Sequence, residues 1–294
     1  MNEFLRELRS LLVANHSEDV DSIVEYFEEY IEDKKESGEL EEDILDELGT
    51  PTDIVSEILG RKVVKNNING LITIIDADVK SLDIEITTDD VEEVFVEKDE
   101  NVNVQVETRD NVLMIKQLDE NKNISFFNNF SQAIKIKLPD DSHLDEVKVT
   151  SASSDLYIEG SLYIESLDVR SMSGDIEFDE VEINQLSLNL KSGDVEIEDS
   201  NIHKASINTL SGDIDIEDVS MEICDIDMKS GDIDIDNLEV HRLNARTLSG
   251  DIDIHLSGDR EDYTIQENHK IYGSGEHNIK VSTLSGDIDI GFND

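Results

Sequence analysis

Two columns of acidic residues at a nearly regular spacing carry the most distinctive chemistry of this sequence. The first column belongs to a Ser-Gly-Asp tripeptide that recurs along the second half of the chain, and it consists of Asp175, Asp194, Asp213, Asp232, Asp251 and Asp287. The second lies two residues further along each repeat and consists of Glu177, Glu196, Asp215, Asp234, Asp253 and Asp289. Stacked carboxylates repel one another, and they either shift their pKa values upward or attract cations.

Two interpretations of these columns are open. In one, the first column hydrogen-bonds the backbone of a corner and the second column is only solvated. In the other, the columns form a linear anionic track for divalent cations or basic peptides. A tight calcium site is the weaker variant, because calcium takes about six to eight oxygens around one ion. Basic peptides bound by such a track would lose affinity steeply as salt is added.

The repeat itself predicts the fold that positions the columns. With each Ser-Gly-Asp glycine counted as zero, apolar residues recur at positions 2 and 4, 7 and 9, and 12 and 14. A spacing of two within each pair indicates a strand, because alternate side chains share a face. The sequence therefore predicts a mainly β fold, a right-handed three-sided parallel β-helix with 19-residue turns. Glycine supplies a positive φ at one corner, where Ser and Asp are expected to bond the backbone.

Composition narrows the partners of the protein. The chain has 294 residues with 72 Asp and Glu against 24 Lys and Arg, a formal net charge of −48. So acidic a chain repels nucleic acid and anionic headgroups and favours cationic partners. Its single cysteine excludes an internal disulfide framework. Cys224 falls in the inward column of the repeat and is predicted to be a small buried hydrophobic residue.

The chain is predicted to contain three parts. Residues 1–62 show helical periodicity and form a small all-α helical module. Residues 63–142 read as a strand-rich lead-in and cap of the β-helix, and residues 143–294 as the β-helix with the Ser-Gly-Asp repeats. A polar loop in the lead-in carries three phenylalanines that are expected to plug the solenoid end, Phe126, Phe127 and Phe130.

The helical module resembles the HAAS domain, also described as DUF1700-like. The resemblance is carried by Tyr26-Phe27-Glu28-Glu29-Tyr30 and by the string from Glu47 to Ile54, which reads Glu-Leu-Gly-Thr-Pro-Thr-Asp-Ile. It implies a bacterial signalling module that docks a protein partner. Four side chains are expected to shape the module rather than to touch that partner: Tyr26, Tyr30, Leu48 and Ile54.

Residues from about 63 to 294 resemble the DUF4097 family of bacterial β-strand-repeat proteins, which are described as candidate adhesins. The resemblance is carried by the repeated Ser-Gly-Asp-Ile-Asp-Ile, by Ile134–Pro139 and by the segment from Lys280 to Ile288. Some relatives belong to Lia-type cell-envelope stress systems of Gram-positive bacteria. Together with the HAAS resemblance, this implies a role in envelope-stress signalling.

We therefore expect a non-enzymatic interaction or scaffold protein, with no catalytic, cofactor or metal residues. No Gly-x-x-x-x-Gly-Lys phosphate loop occurs, and the seven histidines lack the spacing of metal ligands. The acidic β-helix would act as a scaffold or as a sensor of cationic ligands. A surface adhesin is the alternative, and a polysaccharide-active β-helix enzyme is a remote one.

The expected location follows from the absence of targeting signals. The segment from Met1 to Ser10 contains acidic residues and has no apolar core of a signal peptide. No apolar run is long enough to form a transmembrane helix. We expect the protein in the cytoplasm, with membrane association through a partner, and take the cell surface as the alternative.

Overall fold

The structure is a computed structural model of the 294-residue chain. It describes residues 2–14, 20–36, 44–45, 48, 50–51, 54–55, 63–68, 70–99, 102–118, 133–268 and 270–293. The chain divides into two compact units, with the main boundary between Val63 and Val64.

The first unit is helical. Helix α1 spans Asn2–Ala14 and helix α2 spans Val20–Glu36. The apolar residues of both helices recur three or four positions apart, so each helix has one apolar stripe. These stripes are buried, with Leu8 and Leu12 on α1 and Phe27 on α2 almost fully inaccessible. Further along, the described positions 44–45, 48, 51 and 54–55 are also helical.

The second unit is built from strands, and apart from one 3₁₀ turn at Arg260–Asp262 its described elements are all β. The strands are β1 (Val63–Ile68), β2 (Ile74–Asp78), β3 (Asp83–Asp89), β4 (Val94–Asp99), β5 (Val104–Arg109), β6 (Val112–Gln117), β7 (Ala133–Pro139), β8 (Ser142–Leu144), β9 (Glu146–Thr150), β10 (Leu156–Ser171), β11 (Ile176–Leu190), β12 (Val195–Glu198), β13 (Asn201–Thr209), β14 (Ile214–Glu217), β15 (Ser220–Met228), β16 (Ile233–Ser249), β17 (Ile252–Ser257), β18 (Tyr263–Glu267), β19 (Lys270–Gly273), β20 (His277–Ser285) and β21 (Ile288–Asn293).

The repeats stack as a parallel β-solenoid, in which each residue pairs with its equivalent in the next repeat. Ile183 pairs with Ile202, which in turn pairs with Met221. The predicted inward positions are confirmed by burial. In the turn after Gly174 the side chains at these positions are almost inaccessible to solvent: Ile176, Phe178, Val181, Ile183, Leu186 and Leu188. Identical apolar positions in successive turns therefore form one continuous core.

The prediction of a three-sided helix with three separate short strands per turn is wrong. A complete turn contains either one long strand, as in β11 and β16, or one short and one longer strand, as in β12 and β13. The alternation of inward and outward side chains is interrupted after position 4 and again after position 9, where two successive side chains do not face the core. A residue with positive φ occurs only at the first interruption. The strand therefore continues through the second one. The handedness of the coil stays a prediction.

A second corner with positive φ occurs at position 6 of the repeat, and it was not anticipated from the sequence. Asp199, Asp218 and Asn237 have φ values of 44°, 53° and 53°. Asp and Asn tolerate this left-handed conformation better than other non-glycine residues. Their recurrence at the same position of successive repeats was the signal that could have revealed the corner.

The lead-in strands join the solenoid out of sequence order. Strand β2 lies parallel between β6 and β9, and β3 lies parallel between β7 and β10. Strand β4 pairs antiparallel with β7, and β5 with β6. The expected phenylalanine plug at Phe126, Phe127 and Phe130 lies outside the described residues.

Cys224 occupies the core as predicted. Its side chain is fully buried among the inward residues of the repeats. Burial, together with the nearby Asp225 carboxylate, raises the pKa of this thiol to about 12. Because a thiol with so high a pKa carries almost no thiolate at neutral pH, Cys224 is a packing residue.

Candidate functional site

The first acidic column forms a hydrogen-bonded ladder at the glycine corner. The backbone N–H of Asp194 donates to the Asp175 carboxylate at 2.8 Å, and that of Asp213 donates to the Asp194 carboxylate at 2.7 Å. The same bond, at 2.7 or 2.8 Å, links the remaining members of the ladder in order: Asp155 to Asp175, Asp213 to Asp232, Asp232 to Asp251, and Asp251 to Asp287. One carboxylate oxygen of each ladder residue up to Asp251 therefore accepts a hydrogen bond from the backbone N–H of the next turn.

The glycine of each tripeptide is required by close stacking at this corner. Gly212 has a φ of +116°, and a Cβ atom placed on it would lie 2.1 Å from the carbonyl oxygen of Gly193 in the preceding turn. The serine of the tripeptide does not have the predicted role, since no hydroxyl hydrogen bond from it is observed in the described repeats. In some turns the side chain two positions before this serine makes the hydrogen bond at the corner instead. The Thr209 hydroxyl, for example, donates to the Ser211 carbonyl at 2.9 Å.

Two further columns of carboxylates point outward from the strand that follows the ladder. Positions 3 and 5 alternate with the buried positions 2 and 4, so their side chains share the outer face. We call this surface the acidic face. It consists of Glu177, Asp179, Glu196, Glu198, Asp215, Glu217, Asp234, Asp236, Asp253 and Asp289. Position 3 is the predicted second column, whereas position 5 was missed, although strand alternation alone indicates it.

Four carboxyl groups of the acidic face have raised pKa values. Partial burial, and then neighbouring carboxylates, raise the pKa of Glu177 above its usual value. Desolvation, and then neighbouring carboxylates, also raise the pKa values of Glu198, Glu217 and Asp234, and a hydrogen bond with Glu196 adds to the rise at Glu198. Successive turns lie about 4.8 Å apart, a distance at which like charges repel measurably even in water.

Lysine compensates carboxylates beside one edge of the acidic face. At that edge Lys135 contacts Glu85 at 2.7 Å, one solenoid turn before the repeats begin. In the described residues, no ion pair reaches the acidic face between Glu177 and Asp236. No group of three His, Cys, Asp or Glu side chains in the described ranges is arranged to hold a metal ion.

A pair of substitutions distinguishes the contribution of the ladder to stability from that of the acidic face. We expect Asp213→Ala to destabilise the protein by about 1–2 kcal/mol, because it removes the charged acceptor of the Asp232 N–H. Asp215→Ala, two residues away, is expected to be neutral or slightly stabilising, since it removes a carboxylate that repels its neighbours. Urea denaturation of both variants measures the difference. Equal destabilisation by both substitutions would contradict the distinction between the two columns.

The raised pKa values also predict an unusual pH dependence of stability. The four affected carboxyl groups bind protons more tightly in the folded than in the unfolded chain, so folding is favoured as pH falls toward their ordinary pKa. Glu165 acts the other way, because a hydrogen bond from Tyr163 lowers its pKa. We expect a higher melting temperature at about pH 5 than at pH 7 in low salt, and a smaller difference in high salt. Calorimetry at both pH values checks this, and a lower melting temperature at pH 5 would count against it.

Together these features define an acidic parallel β-solenoid protein with an N-terminal helical module. The chain belongs to the Toastrack DUF4097 family, whose model matches residues 72–269, more than half of the chain. The HAAS model matches residues 3–57, which confirms the resemblance of the helical module.

Several solved structures are similar to this chain at low sequence identity. A candidate adhesin from Bacteroides fragilis is 19% identical with a TM-score of 0.44, over 78% of this chain and 97% of its own. A candidate adhesin from Parabacteroides distasonis is 15% identical with a TM-score of 0.48, over 78% of this chain and 98% of its own. A candidate lipid-binding protein from the same species is 19% identical with a TM-score of 0.44, over 79% and 97% respectively.

One comparison and one search of the structure found nothing. No curated protein is similar enough to this chain to count as a relative. Within the part of the chain that the structure describes, no helix has both the length and the apolar character that crossing a membrane requires.

Proposed function

We propose that this protein is a non-enzymatic interaction protein whose solenoid binds cationic ligands through the acidic face. The observation that carries the proposal is the stack of uncompensated carboxylates, in which desolvation and neighbouring acids raise the pKa values of Glu177, Glu198 and Glu217. A ligand with several positive charges relieves this repulsion when it binds, so the repulsion stored in the free protein favours the complex.

The dimensions of the acidic face suit a basic peptide better than a single metal ion. The columns extend over six turns from Glu177 to Asp289, a length of about 24 Å at the strand spacing. An extended peptide covers this length with about seven residues. A flat column offers a calcium ion fewer than its usual six to eight or so oxygens.

The proposal is tested by titrating the full chain with labelled peptides of opposite charge. We expect saturable binding of octalysine at low salt and no binding of octaglutamate or of a neutral Gly-Ser peptide of equal length. Octalysine that does not bind, or a neutral peptide that binds equally well, would contradict the proposal. Turnover of an acidic polysaccharide by the purified protein would contradict its non-enzymatic part.

We also infer that the helical module docks a partner in cell-envelope stress signalling. Its match to the HAAS model supports this role, as does its combination with a Toastrack domain. Of the four side chains predicted to shape the module, Leu48 and Ile54 are buried. Tyr26 and Tyr30 are half-buried and stack with ring centroids 6.5 Å apart.

A photocrosslinking amino acid tests this docking in cells. Placed at the exposed Glu28 of α2, it is expected to capture a specific protein, whereas at Ser206 of the solenoid it is not. An identical pattern of adducts from the two positions would contradict docking through the helical module.

The proposed location is the cytoplasm, either free or at the membrane through the docked partner. Protease treatment of intact cells, followed by fractionation and blotting, tests it. Protection of the full chain is the expected result. Cleavage from outside would overturn this location and favour the alternative role of a surface adhesin.

A further inference from the structure

Over five successive turns, two positions of the repeat alternate with a period of two turns, and the equivalent pair of the last turn, Thr283-Leu284, ends the alternation. At positions 16 and 17, a Ser or Thr followed by Met or Leu alternates with an apolar residue followed by Lys. In chain order the pairs are Ser171-Met172, Leu190-Lys191, Thr209-Leu210, Met228-Lys229 and Thr247-Leu248. The inward positions and the Ser-Gly-Asp corner repeat with every turn, so this two-turn pattern requires a separate explanation.

These positions line a groove of about 760 Å³ that runs along the solenoid. Position 16 points inward and forms the floor, with Leu190 and Thr209 buried. One wall is formed by position 15 and the other by position 17. The walls consist of Arg170, Asn189, Asn208, Asp227 and Arg246 on one side and Met172, Lys191, Leu210 and Lys229 on the other. We call this surface the lysine groove.

The charge of the lysine groove is opposite to that of the whole chain. Four cationic side chains and one carboxylate line it, although acidic residues outnumber basic ones by 72 to 24 in the sequence. Arg246 pairs with Asp227 at 2.9 Å, and Arg170 pairs with a neighbouring aspartate. Lys191 and Lys229 have no carboxylate partner among the residues that the structure describes. The groove therefore presents two free positive charges.

Apolar side chains separate these two charges. Met172 and Leu210 stand on the same wall as the lysines and are 53% and 43% exposed. Such exposure is unusual for large apolar side chains and marks a contact surface when several are aligned. The order along this wall is Met172, Lys191, Leu210, Lys229 and Leu248, so an occupant that fits it carries anionic and apolar groups in alternation.

We propose that the lysine groove binds an extended acidic segment of a partner protein, in the polyproline II conformation, with a carboxylate at every third residue. Lys191 and Lys229 are two turns apart, which is about 9.6 Å at the strand spacing. A polyproline II helix repeats every three residues, or about 9.3 Å. A β-strand repeats its side chains on one face at about 6.7 Å, which does not match.

An α-helix is the nearest competing geometry. Its residues seven positions apart share a face and lie about 10.5 Å apart, which exceeds the lysine spacing. The extended segment also leaves its backbone free to bond polar side chains along the groove. Two of these, Asn189 and Asn208, are exposed on the opposite wall.

The full chain is titrated with three labelled twelve-residue peptides to test the proposal. The first repeats Glu-Leu-Pro, the second repeats Ser-Leu-Pro, and the third is an alanine-based helical peptide with glutamate at every seventh residue. We expect the Glu-Leu-Pro peptide to bind at least about fivefold more tightly than either of the others. The variant K191Q/K229Q is expected to lose this preference. The control K204Q/K280Q has the same change in charge outside the groove and is expected to keep it.

A second pair of variants tests the apolar contacts. We expect Leu210→Ser to weaken binding of the Glu-Leu-Pro peptide about threefold or more, and the control Leu71→Ser, exposed in the lead-in and outside the groove, to leave it unchanged. Four results would each overturn the proposal: equal binding of the Ser-Leu-Pro peptide, tighter binding of the helical peptide, unchanged binding by K191Q/K229Q, or tighter binding of phosphatidylglycerol vesicles than of the Glu-Leu-Pro peptide.

Discussion

Gly212→Ala is expected to destabilise the protein by about 3 kcal/mol or more. Two effects add at this corner. An alanine is strained at a φ of +116°, and its Cβ atom would overlap the Gly193 carbonyl oxygen at 2.1 Å. Relief of this overlap requires the two turns to move apart, which breaks the ladder bond between Asp194 and Asp213 at the same corner. Chemical denaturation followed by circular dichroism measures the loss of stability.

Gly258→Ala is the matched control for this prediction. Gly258 also has a positive φ, of +93°, but no atom lies within 4 Å of the position that a Cβ atom would take. We expect a loss of about 1 kcal/mol, from backbone strain alone. If Gly212→Ala is no more destabilising than this control, close stacking of the glycine corners does not hold the turns together.

The second large effect concerns binding. Neutralising five carboxylates of the acidic face is expected to weaken octalysine binding about 50-fold, because each exposed ion pair contributes roughly 0.5 kcal/mol. The substitutions are Glu196→Gln, Glu198→Gln, Asp215→Asn, Glu217→Gln and Asp234→Asn. They leave the ladder intact and remove like-charge repulsion, so the variant is expected to fold at least as stably as the native protein.

The control variant loses the same number of negative charges at exposed positions elsewhere. Its substitutions are Glu146→Gln, Glu182→Gln, Asp225→Asn, Glu239→Gln and Glu276→Gln. We expect it to weaken octalysine binding less than about threefold, through the change in net charge alone. Isothermal titration calorimetry compares the variants. Equal losses in both would show that net charge, not the acidic face, determines the affinity.

Much of the solenoid could be predicted from the sequence because its turns are equivalent. The pairing of equivalent residues in successive repeats, the inward positions and the burial of Cys224 all follow from periodicity, and the structure confirms them. The strand breaks could not be predicted in this way. Neighbouring turns bend at the same position, so the hydrogen-bonded pairing between turns continues through the bend. Short strands that the side-chain pattern separates are therefore joined into one longer strand.

The functional surfaces were predicted only in part, for a similar reason. The Asp ladder was visible as a column, but only the structure shows that Asp194 bonds the backbone of the following turn. The residue types that line the lysine groove recur only every second turn. An alignment of single repeats therefore does not show them as a column. The strands of the lead-in were predicted but their pairing order was not, because β2 and β3 insert between strands that are distant in sequence.

The salt dependence of octalysine binding tests the central claim most directly. The dissociation constant is measured by calorimetry from about 0.05 M to about 0.5 M NaCl at neutral pH, where the Debye length shortens from about 14 Å to about 4 Å. If the acidic face binds cations through its uncompensated carboxylates, affinity falls at least tenfold over this range. Affinity that does not change with salt would contradict the account.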